Sequence, residues 1–467
     1  MHYFKSVVIL IAACRSVMAM DVATVLSGEL EFDGWRPFSP RDEIRPDFAI
    51  NPRGGPDGRG GLVIKLDNRP GLDGAWTKTF TVEGDSYYRL TAHCRTRDIA
   101  NPRYHTYVEL LFHDAQGKLV IDPRIHPSVV GRVLPDAKSN RLINRKVGVR
   151  SRPFYPPIVH TDEHGWAKFT DVFRAPAAAT HATVKLHLRW DTGAKSEWGE
   201  VSLVPSDPPP ARKVRLAAAN YRPRGGKTAL DNLRQLEPHI SRASTQNADL
   251  LVLGECITSV GNGLSSSEAA EPVPGPSSHF LADLARKYNL YIVTTIHERV
   301  DHLIYNTAIL LSREGELVGK YRKVCPARDE YRNGIAPGRE YPVFDTPIGK
   351  IGIMICFDVH EPEVARGLRA NGAEIIAMPI MGGHPALARA RAIENQVYLV
   401  TSSYSINDDW MQSGVWDLGG NLLVRATEAD SVVVAEVDLS KRHFWPGNMG
   451  EFKGRLRHER PDVALPK

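Results

Sequence analysis

The stretch that most limits what this chain can fold into is "SDPPPAR", Ser206 to Arg212. Consecutive prolines cannot continue a helix or sit in a central strand, so the chain must pass between two folded units through a stiff, extended connection. The hydrophobic rhythm changes across it. Upstream, "TKTFTVEG", "YYRLTAHCRT", "TYVELLFHD" and "ATVKLHLRW" alternate apolar and polar residues with the period of two of half-buried strands. Gly, Asp, Asn and Pro turns separate them, and no long amphipathic helix interrupts. Downstream, strand-like runs such as "NADLLVLGE", "LYIVTTIHE" and "GKIGIMICFD" alternate with helical stretches such as "HFLADLARKYN", "EVARGLRANG" and "ALARARAIEN". The fold class expected is α/β for the second half, preceded by an antiparallel β-sandwich of jelly-roll type. In "ALDNLRQLEPHISRA", Leu230, Leu233 and Ile240 share a helical face, and Pro238 should kink or divide that helix.

The expected domains are a signal peptide over 1–19, the sandwich over 20–205, the linker over 206–212, the α/β domain over 213–440 and a tail over 441–467. The leader "MHYFKSVVILIAACRSVMAM" has a lysine at Lys5, an apolar core from Val7 to Ala13 and the small-residue ending Val17-Met18-Ala19. That pattern reads as secretion with cleavage after Ala19, to a periplasmic or extracellular location. "IAAC", ending at Cys14, leaves lipid anchoring as the alternative. The apolar core is far shorter than the roughly 20 residues of a spanning helix. Beyond the leader stand Cys94, Cys256, Cys325 and Cys356. Their spacing gives neither a disulfide framework nor a CxxC metal motif.

The formal charge of +5 is spread over many segments without a Lys/Arg block, so a dedicated nucleic-acid surface is not indicated. Trp35, Trp76, Trp166, Trp190 and Trp198 all fall in the first half. Exposed aromatics can stack on sugar rings, and this half resembles carbohydrate-binding modules of the galactose-binding-like kind, which implies a possible glycan ligand. Tryptophan is more often core than platform, however. The run "HTDEH", His160 to His164, is read as a solvated loop rather than a metal site, and the glycines of "NPRGGPDGRGG" as turn material.

Three strand ends carry chemistry-bearing residues: "ADLLVLGE" finishes on Glu255, "LVGKYRK" on Lys323 and "KIGIMIC" on Cys356. Singly, each is explained by packing or by the start of the surface. Together they form a coherent set. A cysteine needs a base to attack as thiolate, a glutamate that takes its proton can return it to a leaving amine, and an ammonium can hold the charge that develops on the attacked centre. Cys256 follows Glu255 directly, so within a strand it should point to the opposite face.

These motifs, with "NGAEIIAMP" and "RARAIENQVYLV" following in order, make the segment from Val214 to Asp438 resemble the nitrilase superfamily of carbon–nitrogen hydrolases. The resemblance implies a four-layer α-β-β-α sandwich. It also implies Cys356 as nucleophile, Glu255 as general base and Lys323 as the cation at the tetrahedral intermediate. A second supporting acid would be Glu330, or Asp329 in its place. The Phe357 N–H would give an oxyanion contact, Asp358 would orient the turn, and His384 would fall on a substrate-side loop. No metal or organic cofactor is implied. The expected partner is a small-molecule amide or related C–N substrate, with a homodimer or larger homo-oligomer. The favoured function is a secreted amidase-like hydrolase working through a cysteine thioester. The alternatives are an N-acyltransferase using the same thioester and a catalytically silent glycan-binding protein.

Overall fold

The computed structural model describes residues 30–99, 101–120, 153–442, 444–445 and 450–451. The expected leader with Cys14 and most of the expected tail lie outside the described residues. The described residues up to Asp207 form one compact unit and those from Pro208 form another.

The first unit contains strands β1 (Arg36–Phe38), β2 (Asp47–Asn51), β3 (Gly61–Lys65), β4 (Asp73–Thr81), β5 (Tyr87–Arg97), β6 (Thr106–His113), β7 (Ile158–Thr161), β8 (Ala167–Arg174), β9 (His181–Arg189) and β10 (Lys195–Pro205). They form two sheets, ordered β1-β4-β9-β6 and β2-β3-β10-β5-β8-β7. The period of two decides which side chains are hidden. In β9, Ala182, Val184, Leu186 and Leu188 are fully buried, and in β5 so are Leu90 and Ala92. Trp76 of the first sheet donates its indole N–H to the Val63 carbonyl of the second, at 3.1 Å. Four of the five tryptophans of this half are buried and Trp190 is 44% exposed, with the Arg189 guanidinium 3.7 Å from its ring. The segment read as a loop, His160 to His164, in fact begins inside β7. Only beyond Thr161 does it turn, where the Asp162 carboxylate accepts the N–H groups of His164 and Trp166.

The second unit holds β11 (Lys213–Asn220), β12 (Leu250–Val252), β13 (Tyr291–Val300), β14 (Leu303–Leu311), β15 (Leu317–Arg322), β16 (Val343–Thr346), β17 (Gly349–Ile353), β18 (Ile375–Pro379), β19 (Tyr398–Ser402), β20 (Gly414–Trp416), β21 (Leu422–Arg425) and β22 (Ser431–Asp438). Two six-stranded mixed sheets result, ordered β15-β14-β13-β12-β11-β22 and β16-β17-β18-β19-β20-β21. Its helices are α1 (Ala229–Arg234), α2 (Glu237–Thr245), α3 (Pro276–Tyr288), α4 (Arg328–Arg332), α5 (Pro362–Ala370) and α6 (Pro385–Asn395). The stretch containing Pro238 is divided as its sequence requires. Proline is tolerated in the first helical turn, so α1 stops at Arg234 and α2 restarts around Pro238.

Alternation in the first of these sheets separates two cores. Leu216, Ala218, Leu250, Val252, Val293 and Leu310 pack with Ile351, Ile353, Ile376 and Val400 of the other sheet. Their neighbours Ala217, Leu251, Ile292 and Ile309 pack instead with Leu233 and Ile240 of α1 and α2 and Leu281 and Ala285 of α3. On the second sheet, Val364 and Leu368 of α5 and Ala388 and Ala392 of α6 join its apolar cluster. The strands β11, β12, β17 and β18 therefore end between apolar layers, and the loops beyond them carry the polar residues considered next.

Candidate active site

None of the three candidate residues lies inside a strand. β12 ends at Val252, β15 at Arg322 and β17 at Ile353, so Glu255, Lys323 and Cys356 all occupy the turns just beyond. The physical reason is backbone geometry. Cys256 (φ +53°) and Cys356 (φ +44°) both adopt the left-handed conformation, which no strand accommodates. This corrects the expectation that Cys256 faces away from Glu255. Asn306 Nδ2 donates to Glu255 Oε1 at 2.9 Å and also lies 3.7 Å from Cys256 Sγ, so both side chains meet the same amide.

Glu255 is 2% exposed and held from several sides. Its Oε1 accepts from Lys323 Nζ at 3.0 Å and from Asn306, and its Oε2 accepts from the Met381 N–H at 3.0 Å. Its carbonyl oxygen takes the Tyr404 hydroxyl. Around the turn, Thr294 Oγ1 donates to the Gly254 carbonyl at 3.0 Å and Thr295 Oγ1 accepts from the Cys256 N–H at 2.6 Å. Backbone groups that leave the ladder at β12 are thus re-satisfied by side chains of the neighbouring strand.

Lys323 follows β15 with its side chain 1% exposed. Its ammonium contacts Glu330 Oε2 at 2.5 Å as well as Glu255. Burial works against this cation, but the charge of Glu255, the neighbouring Cys356 sulfur and Glu330 outweigh it and hold its pKa well above the usual lysine range. Glu330 stands in the first turn of α4, where its Oε2 also accepts the Ala327 N–H at 2.6 Å and its Oε1 accepts from Asn306 Nδ2 at 2.8 Å. Burial raises its pKa, but Lys323, Asn306 and the Ala327 N–H lower it by more, to a net value below the ordinary one. The alternative Asp329 has its side chain 82% exposed and pairs loosely with Arg332. The structure therefore brings Glu330 to the lysine and leaves Asp329 in solvent.

Cys356 opens a short 3-10 turn, Cys356–His360. Burial pushes its thiol pKa up, the charge of Glu255 and a hydrogen bond to that carboxylate push it further, and Lys323 pulls it back. The Met381 N–H, besides binding Glu255, favours the ionised sulfur. The turn is anchored by Asp358, wholly buried, which accepts the Ile355 N–H (2.8 Å), the Cys325 N–H (2.8 Å) and the Tyr321 hydroxyl (2.7 Å). Phe357 is 37% exposed with its ring stacked on His360. His384 is not drawn to these groups by any hydrogen bond. Its Nδ1 accepts the Ala386 N–H at 3.1 Å and caps α6.

Asn306, Tyr321, Met381 and Tyr404 were not singled out in the sequence. The signal for Asn306 was there in "IYNTAILLS": a polar residue in phase with Ala308 and Leu310, which line the inter-sheet core. Met381 acts through its main-chain N–H and Tyr404 through a hydroxyl on the Glu255 carbonyl, and neither leaves such a trace. Among the described residues, no group of three or more His, Cys, Asp or Glu side chains is arranged to hold a metal ion. The site can accept a proton from sulfur onto a carboxylate, keep a cation beside it and exclude bulk water from both.

Residues 215–446 match the carbon-nitrogen hydrolase family. The omega-amidase NIT2 of Homo sapiens is 30% identical over 232 residues, spanning 45% of this chain and 84% of the relative. That of Danio rerio is 31% identical over 249 residues, spanning 49% and 89%. Among solved structures, Saccharomyces cerevisiae Nit3, a member of branch 10 of the nitrilase superfamily, aligns with a TM-score of 0.43 and 29% identity over 48% of this chain and 90% of its own. The matched region carries Glu255, Lys323 and Cys356 on its strand-end turns, and through it the chain belongs to the nitrilase superfamily and is an amidase- or nitrilase-type carbon–nitrogen hydrolase.

Proposed function

We propose that this enzyme hydrolyses small amides through a thioester on Cys356, with Glu255 as general base and acid and Lys323 as the stabilising cation. The observation that carries the reading is the buried hydrogen bond between the Glu255 carboxylate and the Lys323 ammonium, with the Cys356 thiol within the field of both. A thiol with a raised pKa is not a resident thiolate, so its proton passes to Glu255 as sulfur attacks the carbonyl carbon. The oxyanion that forms is met by the Lys323 ammonium. Glu255 returns the proton to the nitrogen, the C–N bond breaks and ammonia or an amine leaves. Water, deprotonated by the same carboxylate, then displaces the thiol and releases the acid. Glu330 and Asn306 hold Lys323 and Glu255 in place.

The test is mass spectrometry of protein quenched during turnover of a primary amide, with parallel assay of ammonia and acid. An acyl adduct on Cys356, with free acid accumulating, is the expected result. An adduct elsewhere, or turnover surviving Cys356→Ala, would remove the assignment. An amide product in the presence of added amine would indicate acyl transfer instead.

For the rest of the chain, we infer an α-β-β-α layering of the second unit, supported by helices and sheets sharing its two apolar clusters. A face-to-face sandwich in the first is supported by the bond from Trp76 to Val63. Trp190, exposed beside Arg189, favours a glycan there, and saccharide titration that leaves its fluorescence unmoved would refute this. Export rests on the leader pattern alone, and recovery of uncleaved protein from the cytosol would refute it.

A further inference from the structure

The peptide that joins Glu255 to Cys256 is held at both of its polar atoms, by side chains that come from different sheets. Its N–H, on Cys256, donates to Thr295 Oγ1 of β13 at 2.6 Å, and its carbonyl, on Glu255, accepts the Tyr404 hydroxyl from just beyond β19. The clamp closes on strained backbone, since Cys256 has a φ of +53°, which a β-carbon disfavours. The Tyr404 ring lies against Gly254, where a methyl group would fall 2.6 Å from the hydroxyl oxygen, so the residue before the base must lack a side chain. On either side of Tyr404 the chain is tied to buried groups. The Ser403 N–H donates to Ser413 Oγ at 2.8 Å, Ser403 Oγ donates to the Met411 carbonyl at 2.6 Å, and Asn220 Nδ2, at the end of β11, donates to the Ser405 carbonyl at 2.8 Å. Asn220, Ser403 and Ser413 are all buried, and such a network is rigid when its members are satisfied. Burial first, then Cys256 and Glu255, hold the Tyr404 pKa well above the usual tyrosine range, so the hydroxyl stays a donor.

We propose that Tyr404 is a positioning residue of the reaction: by fixing the Glu255–Cys256 peptide, it sets where the Glu255 carboxylate stands between the Cys356 sulfur and the leaving nitrogen. The role presupposes the thioester reading above, in which that one carboxylate takes a proton from sulfur, gives it to nitrogen and takes another from water. Each transfer needs a carboxylate oxygen within hydrogen-bond reach of a different atom. Lys323, Asn306 and the Met381 N–H hold the carboxylate end of the side chain. Tyr404 and Thr295 hold its backbone end. Without the hydroxyl, the Glu255 carbonyl loses that donor and the peptide is freer to relax from the left-handed turn, carrying the base with it. The bond is to the backbone of the base and is present before substrate arrives, so its loss should appear in kcat rather than in KM.

The test is Tyr404→Phe, which keeps the ring on Gly254 and removes the hydroxyl alone. The probes are acetamide, propionamide and butyramide, with active sites counted by peptide mass spectrometry of alkylated Cys356. On these amides kcat per active site should fall about tenfold to a hundredfold, with KM within about twofold of the parent. A second probe, p-nitrophenyl acetate, separates positioning from general loosening, because its phenolate leaves without a proton and acylation then asks one transfer fewer of Glu255. The ratio of amide to ester acylation rates should drop about fivefold or more, whereas a smaller folded fraction would lower both rates alike. Gly254→Ala keeps the hydroxyl but displaces the ring, so it should give the same pattern. The double variant should be little worse than the worse single one, since both remove one bond. A kcat within about twofold of the parent in Tyr404→Phe, or equal losses on amide and ester, would overturn the positioning role. A parent enzyme that releases no ammonia from these amides, or a Glu255→Gln variant that still turns them over, would instead overturn the reading on which the role rests.

Discussion

Asn306 and Lys323 are joined three ways: the Lys323 N–H donates to the Asn306 carbonyl at 2.9 Å, and both side chains donate to Glu255 and to Glu330. The two hydrogens of one amide thus span two carboxylates that would otherwise repel across a single ammonium. Asn306→Ala removes a donor from each. Hydrogen bonds to charged groups are worth roughly 1.5–3 kcal/mol. The expected outcome is a fall in kcat of about tenfold to a hundredfold, with the acid limb of the pH–rate profile moved upward because Glu330 loses a bond to its ionised form. A lower kcat with an unmoved acid limb would reduce Asn306 to a packing role.

Cys356→Ala and Glu255→Gln should each abolish turnover; Cys356→Ala should leave the unfolding midpoint near that of the parent, whereas Glu255→Gln takes one of two carboxylates from the buried Lys323 ammonium and should lower it. Cys256→Ser is the informative control, because Cys256 shares Asn306 with Glu255 and lies 3.8 Å from His297 Nε2. Burial and Glu255 hold the Cys256 thiol pKa well above the ordinary range, as they also push that of Cys356 up, so the variants and not the pKa separate the two thiols. Serine keeps an acceptor for Asn306, and turnover within about tenfold of the parent is expected. Loss of all activity in Cys256→Ser, with Cys356→Ala still active, would exchange the two assignments.

The division between the halves, the alternation of β5, β6 and β9 and the segmented first helices were legible because each depends on local chemistry: proline geometry, a period of two, and apolar faces. Glu255, Lys323 and Cys356 stand out in the sequence through ordered motifs. What could not be read was the conformation that unites them. Left-handed φ at Cys256 and Cys356 is imposed by tertiary contacts at residues with no intrinsic preference for it, which is why Cys256 was placed on the wrong face. Met381 and Tyr404 contribute an N–H and a hydroxyl whose partner, Glu255, is more than a hundred residues away in the chain, at separations of 126 and 149. No sequence window connects them.

Asp358 fixes the nucleophile turn to the lysine strand, since Tyr321 ends its reach at the Asp358 carboxylate two residues before Lys323. Burial pushes this carboxyl up to about 6, against donors that pull it down. A raised carboxyl means that the folded state binds the extra proton between the ordinary value of 3.8 and about 6, so its contribution to stability falls as pH rises through that window. Asp358→Asn offers one acceptor oxygen to three donors and should cost roughly 1–3 kcal/mol. It should also lower kcat more than it changes KM, because Cys356 is displaced without loss of substrate contacts. Urea titrations at intervals from pH 4 to 6.5 would show the parent's downward component missing from the variant. Its persistence would place the proton on another group.

Lys323→Met separates the role of the cation from that of the stem. Without the ammonium, the developing oxyanion loses a partner comparable to one oxyanion-hole donor, about 2.7–4 kcal/mol, so kcat should fall a hundredfold or more. The same change leaves Glu255 and Glu330 facing each other in a buried site. Breaking a buried ion pair costs about 3–5 kcal/mol when the remaining charge is uncompensated. In the parent, the lowered pKa of Glu330 gives stability that is present above its ordinary value of 4.5 and lost as pH falls through the lowered one. In the variant the largest downward influence is gone and burial dominates, so the carboxyl protonates more readily in the folded state. The stability deficit should therefore be widest near neutral pH and narrow as the solution is acidified toward about pH 4.5. Urea midpoints of parent and variant at both pH values measure the gap. Alkylation of Cys356 should slow in the variant at any given pH above neutrality, since the charge that favoured the thiolate has been removed. Turnover within about threefold of the parent, or a deficit independent of pH, would sink the assignment of Lys323 as the charge that both stabilises the transition state and balances the two carboxylates.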